Sequence, residues 1–219
     1  KSFVVTPKAD EANAREAMTG AGLTLQYTRG HRYVGGFVGS AASEDAWITP
    51  QVDVWVKAVH SLADVAVRHP ATAYTALVWR LQAEWQYLCR VSPRAGPLLA
   101  PVEKALRENF IPTLFGQRTM KMNDDTRRLY TLGVKQGGLN IRNPAEGATG
   151  MHIASETAAE ILVESLMGGA ELDLQHHQQC VRKAGAIARK LRADAASAFV
   201  TKLKRSCPKA ERKWLERIG

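Results

Sequence analysis

The sequence predicts an α+β, mainly α fold: a small strand-helix-strand-strand element, then a helical bundle, then a long basic C-terminal helix. Three observations carry this. Short β-branched and alternating segments stop at Ser40. Beyond it, apolar residues recur at intervals of three and four, the period of a helix face. All the excess positive charge lies after Cys180. The chain accordingly divides into residues 1–40, 41–116 and 117–219.

Phe3-Val4-Val5-Thr6 is β-branched and closed by Pro7, so it reads as a strand. Asp10 is placed to cap a helix through about Thr19, with Gly20 and Gly22 ending it. Leu23 to Tyr27 alternates apolar and polar, a second strand. Arg32 to Val38 reads as a third, interrupted by Gly35-Gly36. Thr49-Pro50 is a helix start, with Thr as N-cap and Pro at the first position. One stripe comes next: Val52, Trp55, Val56, Val59, Leu62 and Val65. His69-Pro70 stops it. Tyr74, Leu77, Val78, Leu81, Trp85 and Leu88 form a second stripe. Gly96-Pro97 breaks the chain again, and Leu98, Val102, Ala105, Leu106 and Phe110 form a third. Such stripes with short breaks make a compact bundle, with their tryptophans as core.

Gly116 to Asn143 is less regular, with Asn123-Asp124-Asp125 as a cap and a turn at Gly137-Gly138. Ser155 to Met167 is a helix ended by Gly168-Gly169. Leu174 to Lys204 reads as one long, Ala-rich, basic helix. Cys207-Pro208 leads into a short last helix to Ile218.

The chain has 219 residues, 45% of them hydrophobic, enough to bury a core without crosslinks. No run of about 18 apolar residues suggests a membrane span, so no membrane partner is expected. No signal peptide is visible. The chain does not begin with Met, which fits a processed chain or a fragment. Cys89, Cys180 and Cys207 are odd in number and widely spaced, which argues against a disulfide framework. An intracellular, reducing compartment fits best, with nucleus, cytoplasm and organelle undistinguished.

The net charge is +9. From Val181 onward there are twelve Lys and Arg: Arg182, Lys183, Arg189, Lys190, Arg192, Lys202, Lys204, Arg205, Lys209, Arg212, Lys213 and Arg217. Against them stand three acids, Asp194, Glu211 and Glu216, so the first 180 residues are neutral. Such asymmetry is the electrostatic footprint of a polyanion partner.

No catalytic constellation is evident. Asp124 and Asp125 are adjacent, so on a helix they point about 100° apart, and N-capping explains them better than a metal pair. His176, His177 and Cys180 have a loosely metal-like spacing but lack a fourth ligand. No cofactor is expected. Cys89 reads as a small buried apolar residue. Two segments interleave donors with glycines. Gly30-His31-Arg32-Tyr33-Val34-Gly35-Gly36-Phe37-Val38-Gly39 lacks Cβ atoms at its centre, which permits another backbone to approach or a tight bend. Gly133-Val134-Lys135-Gln136-Gly137-Gly138-Leu139-Asn140-Ile141-Arg142 places Lys135, Gln136 and Arg142 around a Gly-rich turn suited to phosphate contacts, or to an ordinary hairpin.

Taken in order, these segments resemble the reverse transcriptases of eukaryotic retrotransposons. Lys1-Ser2-Phe3-Val4-Val5 is similar to the end of the palm, and Tyr33-Val34-Gly35 to the primer grip. Gly36 stands where the grip carries a β-branched residue. Trp55, Ala83-Glu84-Trp85-Gln86-Tyr87 and Phe110-Ile111-Pro112-Thr113-Leu114-Phe115-Gly116 resemble the thumb and the segment after it. Val134-Lys135-Gln136-Gly137-Gly138-Leu139 resembles the Gly-rich turn beyond. The resemblance covers most of residues 1–205. It implies a palm-like element at 1–40, a thumb-like bundle at 41–116 and a helical region with a basic tail at 117–219.

The family's catalytic carboxylates precede the position of Lys1. Two-metal phosphoryl transfer needs them, so the chain alone is expected to be inactive as a polymerase. The expected partner is RNA or an RNA–DNA hybrid, together with the missing catalytic half or protein subunits of a ribonucleoprotein. Arg32, Tyr33, Gly35 and Gly36 are expected to contact the backbone of the primer or RNA. Lys135, Gln136 and Arg142 would add phosphate contacts. Arg182, Lys183, Arg189, Lys190, Lys202, Lys204 and Arg205 would supply salt-dependent attraction. The competing expectation is a scaffolding subunit of a large ribonucleoprotein such as a ribosome, docking through exposed Trp47, Trp55 or Trp79.

Overall fold

A computed structural model describes residues 2–117 and 122–206. The expected mainly α, α+β architecture is what it shows. The chain opens with β1 (Phe3–Val5), α1 (Glu11–Gly20) and β2 (Gln26–Thr28). β1 and β2 pair in parallel, with Phe3 opposite Gln26 and Val5 opposite Thr28. Parallel neighbours need a crossover, and α1 is that crossover. Asp10 does not cap it with its side chain. A 3₁₀ turn at Lys8–Asp10 gives Asp10 helical dihedrals, φ −99° and ψ −3°, whereas a capping carboxylate needs an extended backbone. The second strand lies later than the alternation at Leu23–Tyr27 suggests, because Gln26 is the residue that meets β1.

The third expected strand is two. β3 (Gly30–Tyr33) and β4 (Gly36–Gly39) form an antiparallel hairpin turning on Val34-Gly35. Both turn residues have positive φ, 46° and 78°, as a type I′ turn requires.

α2 (Ala41–Ala66) comes next. It begins well before Thr49-Pro50. Ser40 is the N-cap and accepts from the Ser43 amide, while Pro50 lies inside the helix. Contacts of the first turns override the proline signal. The Ser92 hydroxyl donates to Glu44 Oε1 at 2.5 Å, Arg94 pairs bidentately with Asp45, and Ile48 is fully buried. The Arg94 hydrogen bond holds the Asp45 carboxyl below its usual range.

α3 (Pro70–Ala76), a π-helical turn at Leu77–Leu81 and α4 (Gln82–Val91) run on from one another. The break comes at Ser92-Pro93; Gly96-Pro97 sits within the short α5 (Ala95–Leu98). α6 (Ala100–Ala105), a second π-helical turn at Leu106–Phe110 and α7 (Ile111–Leu114) complete the bundle. Its core is the three stripes: Val52, Trp55 and Val59 with Leu77, Trp85 and Leu88, and Val102, Leu106 and Phe110. Trp55 meets Trp85 edge-on at 6.2 Å, and its indole N–H donates to Glu84. Cys89 is fully buried here, and burial pushes its thiol up to about 11.

α8 (Asp124–Thr131) is capped by Asn123, which accepts from the Thr126 amide at 2.7 Å. α9 (Pro144–Gly168) starts before Ser155, because Asn143 accepts from the amides of Ala145 and Glu146 and Pro144 fills the first position. It lies against α4 and α5 and ends at Gly169 in the left-handed conformation. α10 (Leu174–Ser206) packs back along α9. The helix expected at Cys207–Ile218 lies outside the described residues.

Candidate nucleic-acid interface

The hairpin is anchored by its turn. The Tyr87 hydroxyl on α4 donates to the Val34 carbonyl at 2.6 Å. A Cβ on Gly35 would stand 2.9 Å from the same ring, and one on Gly36 would touch Val91 at 3.4 Å. The close approach at Gly35 is therefore made by Tyr87 of the bundle itself, while Gly36 makes ordinary contact with Val91. Gly36 is buried and Gly35 half buried, so a ligand does not reach them from that side. Arg32 and Tyr33 point outward, and Tyr33 is 70% exposed. Phe37 stacks on Trp47, which fixes the other side of the hairpin to α2.

The Gly-rich segment is a 3₁₀ turn, Val134–Gln136, rather than a hairpin. Gly137 is left-handed, φ 79°. A Cβ on Gly138 would collide with the Leu132 carbonyl, so the turn closes onto the end of α8. Lys135 is exposed and, among the described residues, has no carboxylate in ion-pair range; Gln136 is half buried.

The irregular segment beyond the turn is fixed by buried polar groups. Gln82 on α4, fully enclosed, donates to the Asn140 carbonyl at 3.1 Å and accepts from the Arg142 amide at 2.9 Å. Tyr74 donates to the Leu139 carbonyl at 2.8 Å. Arg127 of α8, only 4% exposed, forks onto Glu103 of α6 at 2.7 and 2.6 Å and donates to the Ile141 carbonyl at 2.8 Å and to the Arg142 carbonyl at 3.3 Å. No motif or spacing in the sequence points to this hub. Its one signal is the Asn123 cap, which starts the helix that carries it.

Arg142 itself is half buried and donates to Gln86 Oε1 at 3.3 Å. Burial lowers its affinity for a proton, and so do the charges of Arg192 and Arg90. Of these two, Arg192 lies on the basic helix but outside the expected site, and Arg90 on α4 had no sequence signal. No ion pair or hydrogen bond links Lys135 or Gln136 to Arg142.

Along α10, Arg182 and Arg189 are seven residues apart and share one flank; Lys183 and Lys190 share another, about 100° round the helix. All four are exposed. Arg205 is exposed and Lys204 half buried. Lys202 lies 3.7 Å from Asp125 of α8, and Arg128 stacks on the buried Phe199, so the far end of α10 is held to α8. His176 and Cys180 are on α10 with His177. Among the described residues no three His, Cys, Asp or Glu side chains are arranged to hold a metal. Asp173 accepts from the His176 amide at 2.9 Å and caps the helix. Among the described residues no helix is long and apolar enough to cross a membrane.

Compared with known proteins, the chain matches no family model, no curated protein and no solved structure.

Proposed function

We propose that this chain binds RNA or an RNA–DNA hybrid, as the part of a reverse transcriptase that lies after the catalytic aspartates. The observation that carries the reading is α10. It has 33 residues, about 50 Å of helix at about 1.5 Å per residue. It keeps Arg182, Lys183, Arg189 and Lys190 in solvent on two flanks, with Asp194 as its one acid. A polyanion that tracks a rod of this length is a nucleic acid. Its backbone releases counterions as each phosphate is neutralised. The outward Arg32 and Tyr33 on the hairpin and Lys135 on the Gly-rich turn are further contacts, Tyr33 as a face on which a base or sugar rests. On this reading the chain's role is to hold a duplex.

A scaffold reading has its own support. Trp79 is 79% exposed, and Leu162, Leu166 and Met167 of α9 and Ile187 and Leu191 of α10 also face solvent. Of the other tryptophans that a docking surface would use, Trp55 is buried and Trp47 half buried.

The test replaces Arg182, Lys183, Arg189 and Lys190 together by Gln and measures binding of a fluorescent RNA–DNA hybrid against salt. Each lost contact removes about 0.9 from the slope of log K on log salt for a duplex, so the slope should shrink by roughly 3–4. An unchanged slope removes α10 from the interface. Partner-dependent solubility with no binding to either nucleic acid favours the scaffold.

A further inference from the structure

A cleft of about 490 Å³ lies at the open end of the β3–β4 hairpin. Its walls come from the end of β1, the turn after it, the junction of β2 with β3, and the junction of β4 with α2. Val5, Pro7 and Val38 make an apolar wall, and Val38 is 53% exposed. Lys8 and Arg29 add two cations, and Thr6 and Ser40 add two hydroxyls. No acidic side chain lines it. Among the described residues neither Lys8 nor Arg29 has a carboxylate in ion-pair range. The Thr6 hydroxyl makes only a long bond, 3.3 Å, to the Pro7 carbonyl, so its proton can turn to another acceptor.

The backbone that carries these groups is fixed. The Thr6 amide donates to the Thr28 carbonyl at 3.2 Å, and the Ser40 amide donates to the Arg29 carbonyl at 2.9 Å. Gly39 packs so closely that a Cβ there would stand 2.4 Å from the Arg29 carbonyl oxygen. Ser40 is also the N-cap of α2, so the positive end of that helix dipole adds to the same potential. Two cations without acids beside an exposed apolar wall call for a ligand with an anionic group and an apolar face. Small-ligand sites span about 300–1,000 Å³, and this cleft falls within that range. A terminal phosphate carries about −1.5 to −2, which balances two cations. A nucleobase supplies the flat apolar face.

We infer that this cleft takes a single nucleotide with a terminal phosphate, its base laid on Val5, Pro7 and Val38 and its phosphate held by Lys8 and Arg29. The inference goes beyond the proposed function. It concerns residues 5–40 and does not require a duplex on α10. The same chemistry has two sources, a free nucleoside monophosphate and the phosphorylated unpaired end of a strand.

The test follows backbone amide signals of the full chain by NMR during titration with adenosine monophosphate, adenosine or inorganic phosphate. In parallel, binding is compared for a hybrid with one unpaired 5′-phosphorylated nucleotide and for a blunt hybrid without the phosphate. Adenosine monophosphate should move the signals of Lys8, Arg29, Gly39 and Ser40, and Lys8→Gln and Arg29→Gln should each weaken it by about ten-fold or more. Neither side chain forms an ion pair, so both variants should melt with wild type, which separates a ligand contact from a structural one. Adenosine and phosphate, each lacking half of the ligand, should bind more weakly still. If the mononucleotide is inert but the overhang is preferred, and the double variant loses that preference, the strand end is the source. The inference is overturned if neither ligand reaches the cleft. It is overturned equally if phosphate binds as tightly as the nucleotide, or if the double variant keeps wild-type affinity. Replacing Arg182, Lys183, Arg189 and Lys190 by Gln should leave mononucleotide binding unchanged, so failure of the α10 reading and failure of the cleft are told apart.

Discussion

Arg127→Met removes the hub beneath the candidate site. In the folded chain the guanidinium makes two charge-assisted bonds to Glu103 and one each to the carbonyls of Ile141 and Arg142. Methionine fills much of the volume but supplies no donor. Glu103, whose side chain is only 15% exposed, would keep its charge without a partner. Removing one member of a buried pair costs about 3–5 kcal/mol. For a chain of 219 residues a kcal/mol is about 2–4 °C in Tm, so the melting point should fall by about 6–20 °C. Scanning calorimetry measures it, with urea unfolding as the check. Adding Glu103→Leu should recover most of the loss, because the stranded carboxylate is then gone. A single variant within about 1 kcal/mol of wild type would refute the hub, since a buried fork of this kind cannot be lost so lightly. Binding gives a second readout. With its carbonyl anchor lost, the segment carrying Arg142 loosens, and hybrid affinity should fall even at temperatures where the variant stays folded.

Two more substitutions probe the hairpin and the core. Gly35→Ala forces a Cβ into a left-handed turn and against Tyr87, costing on the order of 1–3 kcal/mol; an unchanged urea midpoint would contradict the docking of the turn. Tyr87→Phe removes only the bond to Val34, worth about 0.5–1.5 kcal/mol, and should sit between wild type and Gly35→Ala. Cys89 should resist iodoacetamide at pH 8 in the folded chain and react once urea unfolds it. Its folded value, about 11, lies above the ordinary 9.0, so its contribution to stability is intact below pH 9 and is lost as pH rises toward 11. Labelling of folded Cys89 at the rate of an exposed thiol would contradict its burial.

The long elements were legible because their signals are local. Leu174 to Lys204 is Ala-rich and free of proline, and the structure carries it as one helix. The three stripes of the bundle pack as their spacing demands except at Val65, which is exposed at the end of α2, and Asn123 caps where it stands. Boundaries failed where distant contacts outweigh a local cue. Thr49-Pro50 looks like a start, yet Glu44 and Asp45 are held by Ser92 and Arg94, residues that no window around Pro50 contains. Asn143-Pro144 is itself a start signal, masked because Gly147 and Gly150 weaken the helix after it. The site was legible only in part. The basic helix was visible from charge alone. The buried Arg127 hub was not, because it is made by α6, α8 and the segment before α9, which lie far apart in the sequence. Gly35 has a close neighbour, and it is Tyr87 of the same chain; Gly36 makes ordinary contact with Val91.

The most direct measurement is the affinity of the full chain for an RNA–DNA hybrid and for single-stranded RNA at several salt concentrations. With roughly six to ten phosphates neutralised, affinity should fall about 10³–10⁵-fold between about 50 and 200 mM salt. A chain that binds neither ligand, or whose affinity is indifferent to salt over that range, does not hold nucleic acid through this basic surface.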